Sequence, residues 1–314
     1  MEKAPIMVSV YDRIIHFRQC IESLKENKYA DQSHLFIAID APYKDEHVAR
    51  NRMCVEYAKS ITGFKGVTIF IRDKNMGSMG NRDAARDDIF RKYNRLIMFE
   101  DDNVFAPGFL SYMNNGLNVY EKREDIFSVA AYGLPIQMPE HYKDDVYLIV
   151  AFTAWGVGIW RDKWNQVDWS LSEFNAFIDN KSELKKFSKT YEKAIPQLLK
   201  MRQTGHVTGD GLLLVHMYLH NMYSVYPVFS RVRNIGHDGS GEHCGGNKKS
   251  NKYMNQPIYE GTDDTVFPPD LLYNYKLARF IQKTNKYSYY KRIKIKLKKI
   301  IELLYAVKSF KKQQ

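Results

Sequence analysis

Three consecutive acids, Glu100, Asp101 and Asp102, follow the apolar run Arg95-Leu96-Ile97-Met98-Phe99. Three carboxylates at the end of a buried strand repel one another unless a cation or a basic cluster neutralises them. A hard divalent metal accepts such oxygens and keeps positions for phosphate oxygens. The competing reading is an acidic helix N-cap, with 103–105 leading into the helix. A fourth carboxylate, Asp210, stands behind Gly209 at the start of a helix expected over 210–220. It either caps that helix or acts as a general base. His216 and His220 have the spacing of a zinc helix but lack a Glu after the first His, and we read that pair as structural.

The elements around these residues form a regular series. Apolar, β-rich runs occupy 6–10, 35–39, 67–71 and 96–99, and helical periodicity fills 14–26, 45–61 and 79–92. Alternation at this length predicts βαβ units, a parallel sheet covered on both faces, and a ligand crevice at the carboxyl ends of the strands. Those ends read Tyr11-Asp12-Arg13, Asp40-Ala41-Pro42, Arg72-Asp73-Lys74-Asn75 and Glu100-Asp101-Asp102. Beyond Asp102 we expect a helix over 109–120, strands at 127–131, 146–150 and 223–228, an aromatic/glycine turn at 155–160 and a polar helical stretch over 171–201. Residues 237–251 carry four glycines and read as a mobile loop.

Other chemistries are excluded by missing motifs. There is no Gly-x-x-x-x-Gly-Lys-Ser/Thr phosphate loop, no dinucleotide fingerprint after the first strand and no Gly-x-Ser-x-Gly elbow. The 314 residues carry a net charge of +11, but the excess is local. Residues 283–312 hold eleven Lys or Arg against Glu302 alone, and the rest of the chain is almost neutral, which argues against a nucleic-acid partner. Within that tail, Ile293, Leu297, Ile300, Leu304 and Val307 form a helical stripe among lysines. Such a basic amphipathic helix lies on an anionic membrane surface, or packs on its own domain with a solvated basic face. Cys20, Cys54 and Cys244 are widely spaced and odd in number, and no leader-like segment opens the chain. These features predict reduced thiols and a cytoplasmic protein, held peripherally at the inner face of the cell membrane by its tail.

In this order the segments resemble those of GT-A nucleotide-sugar glycosyltransferases, of the N-acetylglucosaminyltransferase I type and the bacterial family-2-like enzymes. The resemblance rests on Val8-Ser9-Val10-Tyr11-Asp12-Arg13, Phe36-Ile37-Ala38-Ile39-Asp40 and the segment from Phe99 through Glu100-Asp101-Asp102 to Phe109. It continues through Ala154-Trp155-Gly156-Val157-Gly158 and Ser230-Arg231-Val232-Arg233-Asn234-Ile235-Gly236, and covers about residues 6–245. It implies an α/β, GT-A (Rossmann-like) fold with a mostly parallel central sheet, followed by the basic C-terminal helix. Residues 1–105 would form the nucleotide-sugar-binding half, 106–282 the acceptor half and 283–314 the tail. The family's acidic segment between two tryptophans, which supplies its base, appears here as Thr208-Gly209-Asp210-Gly211-Leu212, with neither tryptophan.

The resemblance further implies a metal-dependent, inverting transfer of a sugar from a UDP-sugar to a hydroxyl of a glycan or lipid-linked acceptor. Asp102 would hold Mn2+ or Mg2+, assisted by Glu100 or Asp101, and Asp210 would be the base. Arg13 and Asp40 would meet the nucleoside or phosphate, and Trp155 would stack on the sugar or fill the core. His237, Glu242 and His243 would close over the diphosphate or metal. For Arg82 and Arg86 the alternatives are a phosphate contact and, the reading we favour from the sequence, a solvated helix face. Two rival functions remain: a sugar nucleotidyltransferase, and a non-catalytic glycan- or anionic-lipid-binding module on the same scaffold.

Overall fold

The computed structural model describes residues 2–240, 251, 253–261 and 264–285, with backbone alone for 282–285. His243, Glu242, Cys244, most of the glycine-rich loop and the basic tail from residue 286 lie outside the described residues.

The first half builds as a strand–helix series: β1 (Ile6–Val10), α1 (Ile14–Lys25), β2 (His34–Ile39), α2 (Asp45–Ser60), β3 (Gly66–Ile71), α3 (Gly77–Phe90) and β4 (Arg95–Glu100). Strands β1, β2 and β4 are apolar and buried along nearly their whole length, as strands covered on both faces must be. Helix α1 shows why it docks: Phe17, Cys20, Ile21 and Leu24 recur at the i, i+3, i+4, i+7 spacing and are all buried.

The chain continues through β5 (Asn103–Phe105), α4 (Phe109–Val119), β6 (Ile126–Ala130), β7 (Val146–Ile149), β8 (Val157–Trp160) and α5 (Arg161–Trp164). Helices α6 (Ser172–Asp179), α7 (Lys181–Tyr191) and α8 (Ile195–Thr204) come next. Then follow α9 (Gly209–Leu219), β9 (Tyr223–Pro227), β10 (Val232–Asn234) and α10 (Tyr275–Asn285).

Eight strands form one mostly parallel sheet in the order β3-β2-β1-β4-β8-β6-β9-β7. Strands β1 to β4, β6 and β9 run one way, and β8 and β7 are reversed. The series winds outward from β1 to β3 on one side and crosses to β4 on the other, so the switch in strand order falls between β1 and β4. A separate antiparallel ribbon pairs β5 with β10, Asn103 opposite Asn234.

Three local expectations change. Residues 157–160, read as part of a turn, form β8 between β4 and β6. Gly158 makes this possible: a β-carbon there would stand 3.0 Å from Leu117 and Met113 of α4, so only a bare α-carbon lets that helix lie on the sheet. Residues 103–105 form a strand and not the helix start that would make the acidic triplet an N-cap. The stretch 171–201 breaks into three helices, with Asn180 accepting a hydrogen bond from the Glu183 N–H as the cap of α7 and a proline in the first turn of α8.

The described residues divide into two compact units, one within 2–174 and 208–274, the other within 175–207 and 275–285. The first contains the sheet. In the second, Phe177 packs edge-on to Phe187 at 5.2 Å, and Arg202 pairs with Asp179 at 3.0 Å. Among the described residues, no helix is long and apolar enough to cross a membrane.

Candidate active site at the carboxyl ends of the strands

Arg13 follows β1, Glu100 ends β4 and Asp101 and Asp102 follow it, and these two strands flank the switch in strand order; ligands of such sheets bind in the crevice there. Asp101 and Asp102 are buried, at 4% and 5% exposure. The Arg13 guanidinium donates to both, to Asp102 Oδ2 at 2.9 Å and to Asp101 Oδ1 in a short contact. Burial alone would lower the Arg13 pKa, but the two carboxylates outweigh it and leave it raised. Burial pushes Asp101 up to about 7 against the pull of Arg13, and repulsion from Asp102 adds to the rise.

Asp102 is held from both sides. Asn103 Nδ2 donates to its Oδ1 at 3.2 Å and Asn234 Nδ2 to the same oxygen at 2.7 Å. The Ile235 N–H donates to the Asp102 carbonyl at 2.8 Å. The β5–β10 ribbon explains this convergence, because its register sets Asn234 against Asn103 and delivers the next residues onto the carboxylate. Gly236 is the closest: a β-carbon there would lie 2.0 Å from Asp102 Oδ2 and 3.0 Å from the Arg13 guanidinium. Asn234 and Gly236 carry no sign of this role in their local sequence beyond their place in the resemblance.

Glu100 is half-buried, and its pKa is raised by burial, then by the charges of Asp102 and Asp210. Asp210 therefore belongs to the same electrostatic cluster. It occupies the first turn of α9, open to solvent yet crowded by protein atoms, which raise its pKa against the opposing field of Arg82. Both observations hold for a carboxylate lining a cleft.

Arg82 faces this cleft from α3, and its guanidinium lies 3.4 Å from where a β-carbon on Gly209 would stand. Its buried Nε has no hydrogen-bond partner, although Asp83 is 3.5 Å away as an ion pair. The solvated-face reading fails for both arginines of α3. Arg86 is only 5% exposed, donates to Asp83 at 2.7 Å and to Asp87 at 2.8 Å, and lies 4.4 Å from the Trp164 ring.

The structure brings together Arg13, Arg82, Glu100, Asp101, Asp102 and Asp210. Asp40 has internal partners: its Oδ1 accepts from the Ala41 and Met76 N–H groups, at 3.0 and 2.8 Å, and its Oδ2 from Asn75 at 3.1 Å. It ties the loop after β3 to the end of β2. Trp155 stands edge-on to Tyr132, Tyr253 and His237, at 5.0, 5.3 and 5.6 Å between centroids. His237 follows Gly236 directly, and its buried Nε2 has no hydrogen-bond partner.

Fold and site define an α/β protein of the doubly wound kind, with a carboxylate cluster at its topological switch point. No protein-family model matches the chain, and no curated protein matches it. Solved structures that superpose in part include the mannosyltransferase PcManGT from Pyrobaculum calidifontis in complex with GDP-Man and Mn2+. It is 12% identical, with a TM-score of 0.34, over 51% of this chain and 45% of that one. S. aureus TarS 1–349 in complex with UDP-GlcNAc is 10% identical, with a TM-score of 0.35, over 49% and 44%. The chain spans less than half the length of these structures.

Proposed function

We propose that the chain is a metal-dependent, inverting GT-A glycosyltransferase. It moves N-acetylglucosamine or another hexose from a UDP-sugar to a hydroxyl of a glycan or lipid-linked acceptor in bacterial surface-polysaccharide synthesis. The observation that carries this reading is that Asp102, buried and held by four donors, and Asp210, a solvent-reached carboxylate of raised pKa, both lie close enough to act on Glu100.

The residues present fit a divalent ion. Four acids meet two arginines here, and burial and mutual repulsion raise Glu100 and Asp101, the signature of negative charge that a cation would neutralise. Gly236 brings its bare backbone against the Asp102 carboxylate, where any side chain would collide with Oδ2. Asp102 would hold the ion, with His237 as a neighbouring nitrogen donor. The ion, Mn2+ or Mg2+, would supply Lewis-acid stabilisation of the departing diphosphate.

This chain's own groups do the rest. Arg13 orients Asp101 and Asp102. Arg82, whose buried Nε makes no hydrogen bond, supports an anionic contact to the donor diphosphate. Asp210 accepts the proton of the acceptor hydroxyl, and its raised pKa brings it toward the operating range of a general base. Trp155 would stack on the sugar. Asp40 contributes by fixing the loop after β3, from which a nucleoside contact would be made. The lysines around the apolar stripe of the tail favour an acceptor held at an anionic membrane surface.

The test is calorimetric titration with UDP, GDP, dTDP and CMP, each with and without Mn2+, on the intact chain and on Asp102→Asn. UDP binding that needs the metal and is lost in Asp102→Asn supports the proposal. Asp210→Asn should keep that binding and lose turnover by about 10²–10⁴-fold. Absence of metal-dependent nucleotide binding overturns the proposal.

A further inference from the structure

Six residues beyond Asp210, the same helix α9 presents His216, and His220 follows four residues later as its C-terminal cap, on the same face. The acid missing from the local sequence comes from elsewhere in the chain. Glu173, in the first turn of α6, places Oε2 3.0 Å from His220 Nε2 and 3.9 Å from His216 Nδ1. One ligand atom from each of the three lies within 4.8 Å of the others. Glu173 is itself positioned, because its backbone N–H donates to Asp168 Oδ2 at 2.8 Å.

An exposed Glu–His pair would need no further account. His216 does: its side chain is only 3% exposed, yet neither ring nitrogen has a hydrogen-bond partner. Its ring packs 5.8 Å from Phe127 and 4.5 Å from His220. A buried imidazole normally satisfies at least one nitrogen. A cation shared with His220 and Glu173 would do so. Bond lengths of 2.0–2.2 Å to nitrogen and oxygen put the ligand atoms of a tetrahedral zinc site ~3.4 Å apart, within the range of spacings seen here.

We propose that Glu173, His216 and His220 form a Zn2+ site with three protein ligands and a fourth position open to water. The side chains of His220 and Glu173 are 44% and 42% exposed, which gives the ion a path in and leaves that fourth position solvated. The site is separate from the carboxylate cluster and does not depend on the transferase reading. Nitrogen-rich ligands favour zinc over the hard ions suited to Asp102. Bound there, zinc would fasten the helix that carries Asp210 to the backbone around Glu173.

The experiment uses the full chain after chelation, in millimolar Mg2+ to fill the carboxylate cluster, titrated with ZnCl2 and separately with CoCl2. We expect one equivalent of Zn2+ at micromolar or tighter affinity, a raised melting temperature, and the intense visible absorption of tetrahedral Co2+. His220→Ala and Glu173→Gln, both at exposed side chains, should weaken zinc binding at least tenfold and abolish the cobalt bands, while Asp102→Asn retains both. A weak octahedral cobalt spectrum or no stoichiometric zinc in the unsubstituted chain overturns the proposal, whatever the variants do. So does zinc held equally well by the Glu173→Gln/His220→Ala double variant.

Discussion

The α-carbon of Gly236 sits so close to Asp102 that a β-carbon there would stand 2.0 Å from its Oδ2. No rotamer change of residue 236 can relieve this, because the β-carbon is fixed by the backbone. The other party is a carboxylate already held by Arg13, Asn103 and Asn234. Gly236→Ala should therefore destabilise the chain by about 1–3 kcal/mol, as overpacking does. It should also abolish metal-dependent nucleotide binding in the fraction that remains folded. Melting curves and titrations read the two effects separately, and a variant that binds normally would show that the Asp102 carboxylate is not the ligand.

Arg13 is the one cation bonded to both buried acids among the described residues. Removing it in Arg13→Gln leaves two buried carboxylates uncompensated and should reduce stability by about 3–5 kcal/mol in urea unfolding. Asp101→Asn in the same chain should recover part of that loss. If the double variant is no more stable than Arg13→Gln, the two residues are not coupled.

The raised pKa values fix a pH dependence. Glu100 and Asp101 bind a proton more tightly in the folded chain than in the unfolded one. Their contribution to stability is full below the ordinary carboxylate range, about pH 4, and is lost as pH rises through the folded pKa, about 7 for Asp101. The metal-free protein should thus melt at falling temperature between pH 5 and 8, and saturating Mn2+ should flatten the decline. Glu100→Gln should lessen the slope without metal. A melting temperature that climbs over this interval would contradict the electrostatic account.

The two arginines of α3 should separate cleanly. Arg86→Leu removes a buried guanidinium with two carboxylate partners and a tryptophan face, so its effect should fall on stability, by about 3 kcal/mol. Arg82→Gln should leave the melting temperature within a degree or two and weaken UDP binding about tenfold or more, read by calorimetry. Equal effects on both properties in both variants would refute the division.

The parallel half of the fold was legible because each strand is a short apolar run and each helix carries its own period. The expected strand at 6–10 and the observed Ile6–Val10 coincide. The acids could be found for the same reason, since charge at the end of a buried strand contradicts its surroundings. Strand β8 was hidden because Gly158 interrupts its pattern, and the role of that glycine is visible only against Leu117 and Met113. Arg86 looked solvated because its partners Trp164 and Trp169 lie far along the chain. The same limit hid Glu173 from His216 and His220: spacing along one helix reports one face, and not what another segment brings to it.

The β5–β10 ribbon carries a consequence for the order of folding. Asn234 and Asp102 are 132 residues apart in sequence, yet they share a hydrogen bond in the centre of the site. The entropy of closing so long a loop grows only slowly with its length, but pairings of this range form late and slowly. During synthesis the β1–β4 series leaves the ribosome first, with all three acids of the β4 turn and Arg13 in place. The amide of Asn234 and the N–H of Ile235 arrive only with the last third of the chain. A nascent chain that ends before Val232 thus lacks two of the donors that hold Asp102, and the turn after β4 is completed only when the ribbon pairs.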